Sequence, residues 1–308
     1  MAFTSEVSVA IIVVNWNGIE FTKSCLASLR KVDYPNYAII LVDNASENEE
    51  GKQLKQLFPE IHLIQNQENL GFAGGNNVGI RKALKEGFSH ILLLNNDTLV
   101  KPDFLGQLVR KAIQNPKTGI IQPLILFLHN PKEIWSAGGK WVKSLSRAIT
   151  LGDREPLADY RFKKVELDWA TGCCMLVSRE AILQAGLLNE QYFLYFEDVE
   201  WSLRIKAAGF GVQLEEKSVI YHEAGASSKK KSNEGTLSPK VFYFHVRNQF
   251  FLVRGQEGNF GGMIYHLGRF TLWMIYFLFR GRFQKLKAVA KGIRDGWGIS
   301  LKPASRWP

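Results

Sequence analysis

The chain has 308 residues, 46% of them apolar and 22% charged, an ordinary globular composition with length enough to bury a substantial core. Its net charge of +10 sits in the tail: residues 240–308 hold twelve Lys or Arg against two acids, which leaves residues 1–239 neutral overall. Three cysteines (Cys25, Cys173, Cys174) give no disulfide framework, no basic leader precedes the first apolar run, and no apolar stretch reaches roughly 18 residues, so the expectation is a cytoplasmic chain without a spanning helix.

Val7–Val14 is a β-branched run that reads as a strand buried on both faces, and it ends in Asn15-Trp16-Asn17-Gly18. A helical segment follows with Phe21, Cys25 and Leu29 on one face. Ile39–Val42 is a second strand, closed by Asp43-Asn44-Ala45-Ser46, and Ile61–Ile64 is a third. The Gly-rich stretch from Asn69 to Gly79 matches neither the dinucleotide fingerprint nor a Walker loop, and its glycines would let backbone approach a ligand closely. Helix is predicted over Asn77–Glu86. The strand Ile91–Leu94 comes next and ends abruptly in Asn95-Asn96-Asp97, with Pro102 set to open another helix. Four strand–helix units in succession predict a doubly wound, mostly parallel sheet. Ligands of such sheets bind beyond the carboxyl ends of the strands, where Asn15/Asn17, Asp43 and Asn95/Asp97 all fall. Asp97 stands where a metal or a phosphate would be met.

Past Gly119 the pattern loosens. Ile134–Trp141 and Arg147–Leu151 read as a hairpin or a crossing pair of short strands, and Asp153–Lys164 as a polar loop. Asp168–Val177 is a turn feeding a buried strand, with Trp169 either plain core or a platform for a sugar's apolar face. Further on, Trp201, Ile205 and Ala208 mark a helical face, so Glu197 and Asp198 open that helix. Capping and the helix dipole account for one acid there, not for three (Glu197, Asp198, Glu200) in four positions. Val219–His222 is a last strand with His222 at its carboxyl end, and Ser227–Glu234, with Lys229–Lys231, reads as a solvated loop.

With these residues in place, the sequence resembles the family-2 glycosyltransferases, most like the bacterial rhamnosyltransferase-type branch, from about Val7 to Arg254. The ordered motifs that carry the resemblance are Val14-Asn15-Trp16-Asn17, Val42-Asp43-Asn44-Ala45-Ser46, Asn69-Leu70-Gly71-Phe72-Ala73-Gly74-Gly75-Asn76, Asn95-Asn96-Asp97, Thr171-Gly172, Glu197-Asp198-Val199-Glu200 and His222. It implies an α/β GT-A fold, a mostly parallel sheet flanked by helices with a C-terminal helical appendage. It also implies a nucleotide-diphosphate sugar donor (dTDP- or UDP-linked), a divalent metal (Mg or Mn) and inversion at the anomeric carbon. By the same resemblance Asp43 binds the nucleobase, with further donor contacts from Asn15, Asn17, Asn44, Gly71, Gly74, Asn76 and Asn96. Asp97 and His222 serve the metal, Asp198 is the catalytic base with Glu197 beside it, and Trp169, Thr171 and Gly172 face the acceptor, a glycan or lipid-linked hydroxyl. The chemistry asks for such a set: a cation to stabilise the departing diphosphate and a separate carboxylate to take the acceptor's proton. Asn95 replaces the first aspartate of the commoner Asp-x-Asp motif, so Asp97 alone supplies charge and metal should bind weakly without donor.

Two rivals share the fold. A catalytically inactive sugar- or nucleotide-binding relic is favoured by the missing aspartate and opposed by intact Glu197-Asp198 and His222. A sugar-phosphate nucleotidyltransferase would want a Gly-rich, Arg-containing loop where Asn15-Trp16-Asn17-Gly18 stands. Nucleic-acid binding has no recognition motif to support it. The expected division is a catalytic domain over 1–238 and a basic, amphipathic helical region over 239–308. Within that region Phe270–Phe279 is apolar except for Thr271 and is bracketed by Arg269 and Arg280/Arg282. Leu286, Val289, Ile293 and Trp297 then share one face of a basic helix. These segments read either as a dock for the anionic inner face of the cytoplasmic membrane, or as packing on the catalytic domain or in a dimer interface.

Overall fold

The computed structural model describes residues 7–162, 166–223, 234–255 and 259–307; the lysine run 229–231 lies outside them. Eleven strands are described: β1 (Val9–Asn15), β2 (Tyr37–Asp43), β3 (His62–Gln65), β4 (His90–Asn95), β5 (Thr98–Val100), β6 (Thr118–Phe127), β7 (Ile134–Ser136), β8 (Gly139–Val142), β9 (Arg147–Thr150), β10 (Cys174–Ser178) and β11 (Gly211–His222). The main sheet runs β3-β2-β1-β4-β10-β6-β11-β5, with β7 paired to β6. β3, β2, β1 and β4 are parallel, β10 lies antiparallel between β4 and β6, and β11 is parallel to β6. This is the doubly wound sheet expected from the first hundred residues, extended by a mixed half.

The side-chain alternation of β1 explains why it sits in the middle. Val9, Ile11 and Val13 enter one apolar core with α1 (Ile19–Leu29), α2 (Glu50–Leu57) and α4 (Phe104–Gln114). Ala10 and Ile12 enter the other with α3 (Gly71–Lys85), α5 (Arg179–Ala185) and α6 (Glu197–Ala207). A strand apolar at every position can be satisfied only between two helical layers.

Local readings shift in three places. On α1 Cys25 and Leu29 are fully buried, but Phe21 is 42% exposed and Thr22 takes its place inward. α3 starts at Gly71 rather than Asn77, so most of the Gly-rich stretch is helix. β6, buried along its whole length, hides in the sequence because Pro123 interrupts it, and a proline argues against a central strand. The neighbouring β11 absorbs the fault: Glu215 pairs with Pro123 and Val219 with Leu124, so the missing N–H falls at a break in the ladder. The expected hairpin is β8–β9, whereas β7 leaves it to join the main sheet.

Three helices close the chain: α7 (Pro239–Arg254), α8 (Phe260–Phe279) and α9 (Phe283–Gly298). Val246 and Phe250 of α7 form a core with Phe270, Phe277 and Val289, against which Leu286 and Ile293 pack. Trp297 lies 5.5 Å from the Phe250 ring. Most of the apolar face of α9 is therefore turned onto the protein, with Val289 buried, Leu286 and Ile293 half-buried and Trp297 39% exposed, which corrects the expectation that this face is open to a membrane. α8 is different, because its outer side leaves Phe260, Ile264, Leu267, Leu272, Ile275 and Phe279 exposed. Residues 299–307 return to the sheet domain, where Ser305 O accepts from Leu187 N at 2.9 Å and Lys302 O from Asn189 Nδ2 at 3.1 Å. Among the described residues no helix is long and apolar enough to cross a membrane.

Candidate active site

The parallel register brings the polar strand ends to one edge. Asn15 lies opposite Asp43, and Val14 opposite Asn95. Asn15 is fully buried, and its Nδ2 donates to Asp43 Oδ1 (3.0 Å), Ser46 Oγ (3.0 Å) and Glu50 Oε2 (2.9 Å), while its Oδ1 accepts from the Thr22 hydroxyl (2.6 Å). Every polar atom of this amide is spent on protein. Asn15 was expected to touch the donor; it instead fixes the orientation of Asp43, which is 3% exposed. Asn17 takes a left-handed conformation (φ 50°) and accepts from Glu47 N at 2.8 Å, tying the first strand end to the second. Asn96 donates to the Thr22 hydroxyl at 2.8 Å and so joins the same network.

Asp97 and His222 meet across the β5–β11 pairing, in which His222 lies opposite Thr98. Their nearest atoms, Asp97 Oδ1 and His222 Nε2, are 3.2 Å apart, yet Oδ1 makes no well-aligned hydrogen bond, and His222 Nδ1 is also without a partner among the described residues. Both side chains are buried, and a buried orphan acceptor costs about 1–3 kcal/mol unless something satisfies it. A carboxylate oxygen and an imidazole with unspent valence suit a divalent cation whose remaining ligands come from phosphate and water. The described residues contain no cluster of three or more such side chains, so the protein's share of that shell is small.

Asp198 and Glu197 open α6, as the helical spacing predicts. Asp198 accepts from Gly172 N (2.9 Å) and Val199 N (2.8 Å). Burial raises its pKa above the ordinary aspartate value, and these backbone donors oppose that rise. Glu197 is 5% exposed, its Oε2 has no partner among the described residues, and burial together with the charge of Asp198 holds its pKa well above the usual carboxylate range. The thiol of Cys173, pushed up first by burial, also feels the charge of both Asp97 and Asp198.

The turn before α6 is strained. Phe193, Tyr195 and Phe196 all have positive φ (61°, 73° and 69°). Leu194 N donates to Tyr192 O at 2.6 Å across Phe193, a three-residue turn of the rare positive-φ kind. Such residues cost about 1–3 kcal/mol each and persist only where the surroundings over-determine them. Here the surroundings are α3 and α7. Phe193 O caps α3 by accepting from Phe72 N at 2.6 Å.

Several expected ligand contacts prove to be protein contacts. Gly71 (φ 72°) is glycine because a Cβ there would lie 2.5 Å from Phe193 O, and at Gly74 it would lie 2.7 Å from the Leu70 side chain. At both positions the need for glycine is set by these protein neighbours. Asn44 spends its amide on Asn69 Oδ1 (3.0 Å), Gly71 O (3.1 Å), Asn66 Nδ2 (2.9 Å) and Leu70 N (3.1 Å), and Asn76 donates to Phe72 O (2.9 Å) inside α3. Both brace the chain around α3. Trp169 is 6% exposed, packs in a core with Tyr192, Val199 and Phe251, and donates to Lys140 O at 3.2 Å, so it is core and not a sugar platform. Thr171 and Gly172 line up behind Asp198: Gly172 N holds the carboxylate, and Thr171 N donates to Gln122 Oε1 at 2.8 Å. Thr22, Glu50 and Gln122, which build this scaffold, carry no motif that would single them out. Asn248 and Arg247 carry a weak one: with Gln249 they form three successive polar residues between Val246 and Phe250 in the otherwise apolar run of α7.

Residues 7–236 match the family described as glycosyltransferase like family 2. The chain is 31% identical over 206 residues to the low-salt glycan biosynthesis hexosyltransferase Agl10 of Haloferax volcanii, covering 66% of this chain and 63% of that protein, somewhat less than two thirds of its length. Over 260 residues it is 24% identical to the N-acetylglucosaminyl-diphospho-decaprenol L-rhamnosyltransferase of Mycobacterium tuberculosis, covering 78% of this chain and 84% of the relative. Among solved structures, GalNAc-T7 with UDP, GalNAc and Mn2+ aligns with a TM-score of 0.59 at 19% identity, over 80% of this chain and 48% of that one. That likeness is one of fold, and the fold is GT-A.

Proposed function

The chain belongs to the family-2-like glycosyltransferases, and on that premise we propose that it transfers a deoxyhexose, rhamnose from a dTDP-linked donor, with inversion, to a hydroxyl of a lipid-linked glycan acceptor. The observation that carries this reading is two separately held carboxylates at one sheet edge: Asp97 paired with His222 at 3.2 Å, and Asp198 gripped by two backbone amides. The choice of sugar and acceptor is supported by the similarity to the mycobacterial rhamnosyltransferase over most of both chains.

In this mechanism Asp198 takes the proton of the acceptor hydroxyl as its oxygen bonds to the anomeric carbon. The bond from that carbon to the diphosphate oxygen breaks, and the diphosphate leaves with the electron pair. A raised pKa suits the base, because the proton must be held once transferred and then released near neutral pH. Asp97 and His222 would hold a divalent cation, Mg or Mn, which when bound neutralises charge on the departing diphosphate. Asp43, fixed by Asn15, is the group that reads the nucleobase.

Turnover of UDP-, dTDP- and GDP-sugars with an N-acetylglucosaminyl diphospholipid as acceptor tests the reading, with the product's anomeric configuration read by NMR. dTDP-rhamnose should be used, the product inverted, and activity lost in excess chelator and in Asp97→Ala. No turnover with any donor would leave only a sugar-binding relic. Activity that survives both chelator and Asp97→Ala removes the metal from the mechanism.

The same reading places the enzyme at the inner face of the cytoplasmic membrane, docked through α8. The outer side of α8 is apolar along its length, with Leu272 66% and Phe279 84% exposed. No acid occurs between residues 258 and 294, whereas Arg280, Arg282, Lys287 and Lys291 follow the apolar face, and Arg294 pairs with Asp295 at 2.9 Å. Apolar area framed by an excess of cations suits an anionic lipid surface, to which each nearby basic residue contributes roughly 1 kcal/mol. In this arrangement residues 1–238 carry the chemistry and 239–308 the docking.

A further inference from the structure

We propose that Asn248, on α7 and outside the sheet domain, is a positioning residue that holds Asp198 for catalysis by clamping the strained turn 193–196; the proposal rests on the reading of Asp198 as the base. Asn248 is fully buried, and its Nδ2 lies 2.8 Å from each of three carbonyl oxygens, those of Tyr192, Leu194 and Tyr195. Two amide hydrogens are shared among three acceptors, so the whole donor capacity of the side chain is spent on one turn. Its Oδ1 accepts from Arg247 Nε at 2.8 Å, and Arg247 Nη2 reaches Gln191 O (2.7 Å) and Tyr192 O (2.9 Å). Four of the five carbonyls from 191 to 195, all but that of Phe193, are thus collected by two adjacent side chains. The turn they collect contains the three left-handed aromatic residues and delivers the chain directly into Glu197 and Asp198.

Strain of this kind relaxes when its restraints are removed, and here relaxation would swing the first turn of α6. The other restraints on the turn act at different points. Phe193 is held through its carbonyl to α3, and the rings of Tyr195 and Phe196 lie 6.4 and 4.9 Å from His245. Asn248 alone among the described side chains binds the carbonyls of both Leu194 and Tyr195, on either side of the step where the backbone turns toward Asp198. Asp43 lies at another strand end and depends on Asn15, so nucleotide binding does not pass through this clamp.

The test is a double-mutant cycle in the full-length protein, with dTDP-rhamnose as donor and an N-acetylglucosaminyl diphospholipid as acceptor. dTDP binding and thermal unfolding are measured on the same samples. Asn248→Ala should lower kcat by about 10–10²-fold, the scale of a misplaced catalytic group, with dTDP affinity changed by less than about two-fold. On an Asp198→Asn background the same substitution should cost less than about three-fold, because no base remains to be misplaced. Asn248→Ser, which keeps one donor, should fall between the wild type and Asn248→Ala. Equal losses in both backgrounds overturn the proposal. So does loss of fold and dTDP binding together with turnover in both Asn248 variants, which would make the residue structural only. Full turnover in Asp198→Asn alone has its own signature: it removes the base reading and takes this proposal with it.

Discussion

At the scale of single residues, the site is a set of carboxylates whose environments differ. Asp198 keeps two backbone donors, whereas Glu197 is buried with an orphan oxygen, so the two should respond differently to the same change. Asp198→Asn preserves shape and should reduce turnover about 10²–10⁴-fold with donor affinity nearly unchanged. If Glu197→Gln gives that pattern and Asp198→Asn does not, the roles are exchanged. Glu197 also sets a stability signature. Its pKa is raised in the fold, so the folded state binds a proton that the unfolded chain has already lost. That contribution is fully present below the ordinary carboxylate range and is lost as pH rises. Glu197→Gln should therefore unfold at higher temperature than wild type at neutral pH, and the advantage should vanish as pH falls toward the ordinary glutamate value of 4.5. An advantage that is constant with pH would show that burial of the charge is not its source.

At the scale of elements, the C-terminal helices are fastened to the sheet domain by groups that must stay neutral. His266 Nε2 lies 3.1 Å from Ser146 O at the β8–β9 turn, and His245 packs between Phe196 and Trp273 of α8, with Arg269 at 3.4 Å. Burial, with Arg269 adding to it, pushes both imidazoles from 6.5 down to about 4. A depressed histidine pKa means that the unfolded chain takes up the proton first. The stability these groups permit is whole above pH 6.5 and drains away as pH falls toward 4. A His245→Phe, His266→Leu variant should match wild type in its pH trend above 6.5 and gain on it progressively below. Parallel unfolding curves across that window would show that the two histidines do not titrate with unfolding.

At the scale of the whole molecule, the two tail segments that both read as candidate membrane faces have different fates. α9 turns its apolar face inward on Phe250 and Phe270, and α8 keeps one side against that core while leaving the other bare. Liposome flotation should accordingly depend on α8. Binding should need anionic lipid and weaken with salt, since exposed charges are screened over about 10 Å at 0.1 M. Leu272→Glu with Phe279→Glu should abolish it while leaving thermal unfolding and donor turnover intact. A full-length protein that ignores anionic vesicles would refute membrane docking without touching the glycosyltransferase assignment.

The sequence by itself determined the elements whose signal is local. Continuous apolar runs ending in Asn15, Asp43 and Asn95-Asn96-Asp97 dictate a buried parallel sheet, and parallel register then forces those polar ends onto one edge. The acids Glu197 and Asp198 at a helix start, and His222 at a strand end, were legible in the same way. Only the tertiary structure decided what each polar side chain faces. Asn15 and Asn44 have the residue type of ligand contacts, but their hydrogen bonds are closed by partners as distant in sequence as Glu50 and Asn69, which no local pattern reveals. Trp169 went to the core and Gly71 to Phe193 because packing, not composition, settles which neighbour fills the space beside them. β6 stayed hidden because the tolerance for Pro123 lies in a register slip on a different strand, nearly a hundred residues away. The clamp of Asn248 on the 193–196 turn belongs to the same class: a backbone held in left-handed conformations by a side chain from another helix is written in three dimensions, because neither segment alone carries a reason to adopt it.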